Sequence, residues 1–381
     1  MINFNKHKKN IVGYSIIVVV FALLFYIVSI DMDPEAVHGK IIQYSSKNQS
    51  TNVNHRYDYV DVKIISGKHK GETISVQNIY SGSIKDENSS SGNFAAPGNE
   101  VLLKLTEASN GTITSSYILE IVRYKYIYRL SLFFMLLLVL IGGLKGFKSV
   151  ISLIITGILV LEVMIPLILK GVDPIILSII ICILITVINL RIISGKNKKT
   201  TAAILGTIGG LLASGAIALI SNTVIKVNGF PDEEIQSLIY ASQNSNFNIK
   251  GLFFAAIIMG ALGAVMDVSI SIASSMKEIK DARPEIGMKD LIKSGMNVGQ
   301  DIMGSMANTL ILAYVGGAMY LMLIISSNNI GLSRTINQDI IASEVLKALS
   351  GSIGLIFSIP LTAVCYAFLT RNKYKLKDKE L

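Results

Sequence analysis

The sequence predicts an α-helical polytopic membrane protein that carries a small all-β domain outside the membrane. Three observations predict it. The 381-residue chain is 51% hydrophobic and only 16% charged, whereas soluble domains carry nearer a quarter charged residues; its mean hydropathy is +0.54. Several apolar runs reach the roughly 18–20 residues needed to cross a hydrocarbon core about 30 Å thick. Between the first run and the next, residues 31–125 change to alternating apolar and polar side chains, the period of a half-buried strand.

The first run, Ile11–Ile30, follows Lys6-His7-Lys8-Lys9 and ends at Asp31-Met32-Asp33-Pro34. A signal peptide shares the basic start, but its apolar region is shorter and a small-residue cleavage site follows it. Residues 1–30 are therefore expected to form an N-terminal transmembrane helix that stays in the protein, with its amino end cytoplasmic. Residues 31–125 are expected to form an extracytoplasmic β-domain. Five stretches have period 2, namely Gly39–Tyr44, Tyr57–Ile65, Glu72–Gln77, Glu100–Leu105 and Ser116–Val122. Turn chemistry separates them at Ser66-Gly67, Lys70-Gly71, Pro97-Gly98-Asn99 and Asn110-Gly111. About five short strands fit a small closed barrel, the OB-like barrel among them. Such barrels bind ligands or envelope proteins, or act as spacers, and no residue pattern here selects one role. Ser81–Gly98 reads as a mobile surface loop.

Residues 126–370 are expected to form a seven-helix membrane domain. Its runs are Ile127–Leu144, Val150–Leu169, Pro174–Ile193, Ala202–Ile225, Leu252–Met276, Gly299–Ser326 and Val345–Leu369. Lys145 and Lys148, Arg191 with Lys196, Lys198 and Lys199, Lys277 through Lys293, and Arg371 through Lys379 all fall on the side of the amino terminus. The β-domain, Lys170–Asp173, the Asp232-Glu233-Glu234 loop and the Asn328–Ser343 loop fall on the other side. The positive-inside rule then gives about eight transmembrane helices with both termini cytoplasmic, residues 371–381 being a basic cytoplasmic tail. Pro284 should end one helix or start the next, and a helical pattern from Met288 should run on into the seventh span.

The formal charge of +9 is accounted for by these topological loops. No basic patch interleaves with aromatic residues, so nucleic acid is not an expected partner. Cys182 and Cys365 lie inside apolar runs and specify neither a disulfide framework nor a metal site. His7, His38, His55 and His69 all lie outside the spans, and no HExxH motif occurs. An intramembrane serine nucleophile would need a nearby base, and none is evident. No catalytic residue, no metal site and no enzyme activity are expected, and any cofactor is left open.

Gly260–Met276 is the centre of the membrane domain, because an ionisable Asp267 sits inside a long apolar run. At about 100° per residue, Gly260, Gly263, Ala264, Asp267, Ser271, Ser274 and Ser275 share one helix face, with Val265, Val268, Ile270 and Ile272 largely opposite. Such a face cannot favour lipid tails, which offer no hydrogen-bond partners. In the next span Asn297, Asp301, Gly304, Ser305 and Asn308 recur on one face. From Leu252, Asp267 lies roughly 22 Å along its helix; from Gly299, Asn308 lies roughly 13 Å along the returning one. The two stripes are expected to face each other in the cytoplasmic half of the membrane. Glu162 lies near the midplane of its run, four residues before Pro166, which frees backbone carbonyls. Pro360 in Ser358-Ile359-Pro360-Leu361 echoes that interruption, a pattern known from transporter sites. Asp, Glu, Asn and Ser oxygens suit protons or hard cations. The candidate ion or substrate ligands are thus Asp267, Asn308, Ser271, Glu162, Asp301 and Ser305. Gly206, Gly210, Gly260 and Gly263 are read as helix-packing positions. The plainer reading stands beside this one: Asp267 and Glu162 as neutral structural acids, and the serines bonded to their own backbone.

Gly260–Ser275 and Ser294–Gly316 resemble the YibE/F family of bacterial membrane proteins. The N-terminal part, with Val62-Lys-Ile-Ile-Ser-Gly-Lys-His-Lys-Gly71, fits the same pattern. The resemblance covers most of the chain, and the two quoted blocks are its specific part. It implies the same architecture in a bacterial cytoplasmic membrane and implies no settled activity.

The residues support an ion-coupled permease or secondary transporter with an acidic intramembrane site, moving a small ion or solute. The rival readings are a non-transport platform or signalling module whose β-domain binds an envelope protein, and a channel. The lipid bilayer is a partner in each, and no interface for oligomers is readable.

Overall fold

A computed structural model describes residues 37–44, 50–52, 55–79, 96–108, 111–227, 248–327 and 331–371. The Ile11–Ile30 run, residues 81–95 of the expected loop, the Asp232-Glu233-Glu234 loop and the tail from Asn372 lie outside the described residues. The chain divides into two compact units, Met1–Leu137 and Leu138–Leu381.

The described strands of the first unit are β1 (Val37–Tyr44), β2 (Ser50–Asn52), β3 (His55–Ile64), β4 (Thr73–Ile79), β5 (Glu100–Glu107) and β6 (Ile113–Ile121). Five of them fall on the alternating stretches; β2, at three residues, is too short to show a period. In β3, Val60, Val62 and Ile64 are buried while Lys63 is exposed, because successive strand side chains point to opposite faces. β1 pairs antiparallel with both β3 and β5, β3 pairs with β4, and β5 with β6. One parallel pair, Gln77 with Tyr117, joins β4 to β6. The result is a partly open barrel filled by Ile41, Val60, Val62, Ile64, Val76, Val101 and Leu103, with β2 extending the sheet beside β3. A Cβ at Gly39 would run into Val62 and come 2.8 Å from Leu103 Cδ1, so a glycine is required where β1 passes between its two neighbours.

Inside this unit a charged node ties the barrel to the start of the first described helix, α1 (Tyr124–Ile158). His38 on β1 is buried, its Nδ1 3.0 Å from Glu100 Oε1 on β5, and its ring meets Tyr124 edge-on. Lys125 Nζ donates to the same Glu100 oxygen. Burial acts to raise the Glu100 carboxyl, but the hydrogen bonds with Lys125 and His38 outweigh it and hold the pKa below the ordinary 4.5.

The second unit is helical. After α1 come a π-helical turn (Leu159–Met164), α2 (Ile165–Leu169), α3 (Pro174–Ser194), α4 (Lys198–Ile225), α5 (Ile249–Ala282), α6 (Met288–Gly317), α7 (Met319–Ser327), α8 (Leu332–Ile336) and α9 (Asp339–Thr370). Side-chain oxygens of Asp173, Asn197 and Asn248 accept the first free amides of α3, α4 and α5, the usual N-cap chemistry. By length and composition, five helical stretches among the described residues can cross a membrane, or six when α6 and α7 count as one bent pair. The protein is therefore a multi-pass membrane protein.

Two breaks refine the sequence expectation. Gly143, inside α1, has φ 55° and ψ −131°, a conformation that side chains with a Cβ avoid. The chain bends there, and Gly146 lies against the backbone of Leu138 and Val139. The seventh expected run, Gly299–Ser326, is also not straight. It bends by 59° at Ala318, after Gly316-Gly317, where two glycines weaken the helix. The Asn328–Ser343 loop proves partly helical, since α8 lies in it and α9 begins at Asp339. Pro284 falls between α5 and α6, as its missing amide requires.

The core forms where α9 packs against α4, α5 and α6, with α3 and α4 also against α5. α4 and α9 cross at backbone contact. A Cβ on Gly210 would sit 2.7 Å from the Gly354 carbonyl oxygen, one on Gly354 would sit 2.6 Å from Ser214 Cβ, and one on Gly206 would collide with Thr362. Small residues of this kind drive helix association in lipid, where apolar burial does not.

Two measurements check these contacts. Gly210→Ala and Gly354→Ala are each expected to destabilise the membrane unit by roughly 1–3 kcal/mol through overpacking, read as a lower thermal midpoint in detergent. Gly263→Ala, which meets open space, should leave that midpoint unchanged. Because Glu100 has a lowered folded pKa, its node stabilises the barrel above pH 4.5 and the gain is lost as pH falls through the folded value. Hydrogen exchange of the full chain should show β1 and β5 losing protection on acidification, and Glu100→Gln should abolish that pH dependence.

Candidate functional site

The inward face of α5 is apolar and tightly packed. Phe254, Ile258, Ala261, Val265, Val268, Ile272 and Met276 are all buried, at the three- and four-residue spacing of a helix face. That fixes the opposite face outward. Gly260, Gly263, Asp267 and Ser271 are exposed, and Ala264, Ser274 and Ser275 half-buried. The Asp267 stripe is thus one continuous face, as its periodicity predicts, but it lies on the outside of the described bundle rather than between packed helices.

α6 shows the same division. Leu291, Gly295, Gly299 and Leu310 are buried. A Cβ at Gly295 would come 2.5 Å from Met276 Sδ and 3.2 Å from Ala363 Cβ, and one at Gly299 would collide with Ile359. α6 is therefore clamped against α5 and α9 by its glycines. Its polar stripe points away, with Asn297, Asp301, Gly304, Ser305 and Asn308 all exposed. The expected meeting of Asp267 with Asn308 inside the bundle is replaced by two polar faces, on neighbouring helices, that are both open. Some of the hydroxyls are satisfied locally. Ser305 Oγ donates to the Ile302 carbonyl at 2.9 Å, and Ser274 Oγ donates to the Ile270 carbonyl at 2.6 Å. Asp267, Asp301 and Asn308 add exposed carboxyl and carboxamide oxygens to these faces.

Glu162 stands in the π-helical turn. Pro166 has no N–H to give the Glu162 carbonyl four residues back, and the Ile165 amide donates instead to Val160, five residues back. Met164 and Ile168 face the core, while Glu162 is exposed beside Leu161 and Ile165. The structure therefore does not bring Glu162 to the Asp267 stripe. Pro360 lies within α9, whose helix continues through it.

Of the packing glycines, Gly206 and Gly210 lie in the α4–α9 crossing, Gly260 abuts the Tyr314 hydroxyl, and Gly263 has open space. Tyr314 Oη is buried without a hydrogen-bond partner among the described residues, as are the hydroxyls of Ser214, Ser269, Ser350, Ser352 and Thr362.

One polar feature was absent from the sequence reading. Glu344 Oε1 and Lys347 Nζ form an ion pair of 2.6 Å near the start of α9, with side chains only 26% and 13% exposed. The Lys347 ammonium also lies 5.5 Å from the centre of the Phe253 ring. Glu344 and Tyr314 border a cavity of about 170 Å³ whose other walls, such as Ile311, Val315 and Leu349, are apolar. The signal was there: an acid and a base three residues apart at a helix start. Among the described residues, no group of three or more His, Cys, Asp or Glu could hold a metal ion.

Removing the Glu344 carboxylate takes one charge-assisted hydrogen bond from a partly buried ammonium. Glu344→Gln is expected to cost about 1–2 kcal/mol, less than a fully buried pair because both side chains keep some exposure. Glu344→Met with Lys347→Met should recover most of that loss, which thermal unfolding of the two variants in detergent would register.

Residues 130–372 match a family model described as YibE/F-like protein. No curated protein and no solved structure matches the chain.

Proposed function

The chain belongs to the YibE/F-like family, and we propose that it is an ion-coupled permease of the bacterial cytoplasmic membrane. The observation that carries this reading is Asp267, a carboxyl roughly 22 Å into an apolar helix and exposed on a face of glycine and serine. An ionisable group at such depth is costly to keep and is by default a site for an ion or a proton. Asp267 would bind a proton or a hard cation with Ser271, on its own helix face, as a neutral oxygen ligand, and Asn308 on the neighbouring open face would join them only in a state in which the two faces come together. Asp301 and Ser305, nearer the helix start, would relay it to the cytoplasm. Glu162 would serve as a second, separate acid at its π-helical turn, where helix irregularities often accompany function.

This proposal includes the finer topology. Eight helices would cross the membrane, both termini would be cytoplasmic, and the barrel would stand outside as a cap or receptor. Its ring order, β1-β3-β4-β6-β5 and back to β1, supports an OB-like barrel.

A second reading has its own observation. The α4–α9 crossing is closed at backbone contact and the inward face of α5 is fully packed. A packed bundle of this kind suits a platform or signalling module whose barrel binds an envelope partner.

Reconstitution decides between them. Proton and sodium uptake would be followed in proteoliposomes holding the full-length chain. The permease reading expects flux that falls at least about tenfold in Asp267→Asn, equivalent to 1.4 kcal/mol, and less in Glu162→Gln. Flux indifferent to both substitutions would leave the platform reading.

A further inference from the structure

We infer that the cleft between the ends of α3, α4 and α9 holds the headgroup phosphate of an anionic phospholipid. α3 ends at Ser194 and α4 begins at Lys198. Both helices are long and apolar enough to cross a membrane. The three residues that join them therefore turn at the membrane surface, at the level of the lipid headgroups. There the structure holds an open cleft of about 330 Å³. Arg191 from the last turn of α3, Lys196 from the connection and Lys198 from the start of α4 line it. Thr200, Thr201 and Leu369 of α9 complete the wall.

The fold does not answer this charge. Among the described residues no acid pairs with Arg191, Lys196 or Lys198. No Asp or Glu occurs between Asp173 and Asp232, so α3 and α4 contain none, and α9 has none beyond Glu344. α5 packs beside this end of α3 and α4 through Ala273. Its acids beyond that point, Glu278 and Asp281, lie 4.0 and 2.6 Å from Lys277. The cations also stand on a fixed turn. Asn197 Nδ2 donates to the Ser194 carbonyl at 2.8 Å, and Asn197 Oδ1 accepts from the Thr200 amide at 2.8 Å. Gly195 takes the φ of 75° that the connection needs. A platform already ordered spares a ligand that cost. Because Asn197 caps α4 itself, the attraction comes from side-chain charge rather than from free helix amides.

A phospholipid phosphate meets these groups. Its oxygens accept two at a time from a guanidinium fork, and ammonium groups serve as point charges beside it. Leu369 gives the attached glycerol and first methylenes an apolar wall. Basic pockets between transmembrane helices take anionic headgroups in this way. The position at the headgroup layer and the apolar wall select a lipid over a free anion. The cleft shares no residue with the Asp267 stripe, so the inference stands whether or not the chain moves an ion.

The test gives the full-length chain, in detergent, equimolar dioleoyl phosphatidylglycerol and dioleoyl phosphatidylcholine. Native mass spectrometry reads the lipid retained, which should be mainly phosphatidylglycerol. Lys196→Gln with Lys198→Gln should weaken that retention about fivefold for each charge removed, and Lys196→Arg with Lys198→Arg should keep it. Lys289→Gln with Lys293→Gln, at the start of α6, removes the same charge elsewhere and should leave retention unchanged. All four lysines are exposed, and an unaltered thermal midpoint without lipid checks that each variant is folded. Three results would overturn the inference. Equal loss in the two Gln pairs would mean a diffuse basic surface. Equal retention of both lipids by the unaltered chain would mean that acyl chains alone are held. Displacement of phosphatidylglycerol by equimolar inorganic phosphate would make free phosphate the occupant.

Discussion

The membrane unit depends on how closely α4 and α9 approach. Hydrocarbon gives helices no apolar reason to leave lipid for one another, so dispersion contacts across a close crossing must supply the association. Gly206, Gly210 and Gly354 remove the side chains that would hold the two backbones apart. Val265 of α5 then packs onto Gly210, and Met276, Ile359 and Ala363 receive the glycines of α6. Because α5 meets this pair through the face of Phe254, Ile258, Val265, Val268 and Ile272, the opposite face with Gly260, Gly263, Asp267 and Ser271 is left outward, while Ser269 alone of its serines is buried. The position of the candidate site is thus a by-product of how the core closes.

This also explains what could and could not be read in advance. The apolar runs are local signals, and α3, α4, α5 and α9 match them, with ends displaced by up to six residues where α5 runs on to Ala282 and α9 begins at Asp339. Caps such as Asp173 and Asn197 belong to the same local chemistry. The barrel strands show the period of two wherever they are long enough, which excludes β2. What periodicity cannot supply is the choice of inward face. α4 and α5 both carry a glycine stripe, and only the one on α4 enters the core crossing. The expectation that Asp267 and Asn308 meet between helices failed for that reason: each stripe was read correctly, and the direction it faces depends on partners far away in sequence. The bend at Ala318 was hidden because two glycines in an apolar run look like packing residues. Glu344 and Lys347 were missed because the helix begins earlier than the apolar run.

The ionisable groups of the membrane unit differ in how their charge is met. Glu344 and Lys347 neutralise one another over 2.6 Å, so their cost is largely settled within the fold. Asp301 is exposed on the outer face of α6. Asp267 and Glu162 lie inside apolar stretches, and both are exposed. A group whose charge the fold does not answer depends on something added to it, whether ion, water or protein. That distinction separates the pair, a structural element, from the two acids, which are the places to look for activity.

Gly143 has a consequence of a different kind, one of parity. Tyr124–Leu169 is a 46-residue apolar stretch, which as one unbroken helix would be about 69 Å long, more than twice the hydrocarbon thickness. A stretch that crosses once and a stretch that turns back deliver the rest of the chain to opposite sides of the membrane. The turn is made by one residue in a conformation reserved for glycine. A single Cβ there would favour the uninterrupted helix, and a helix of that length no longer fits within the thickness of one bilayer.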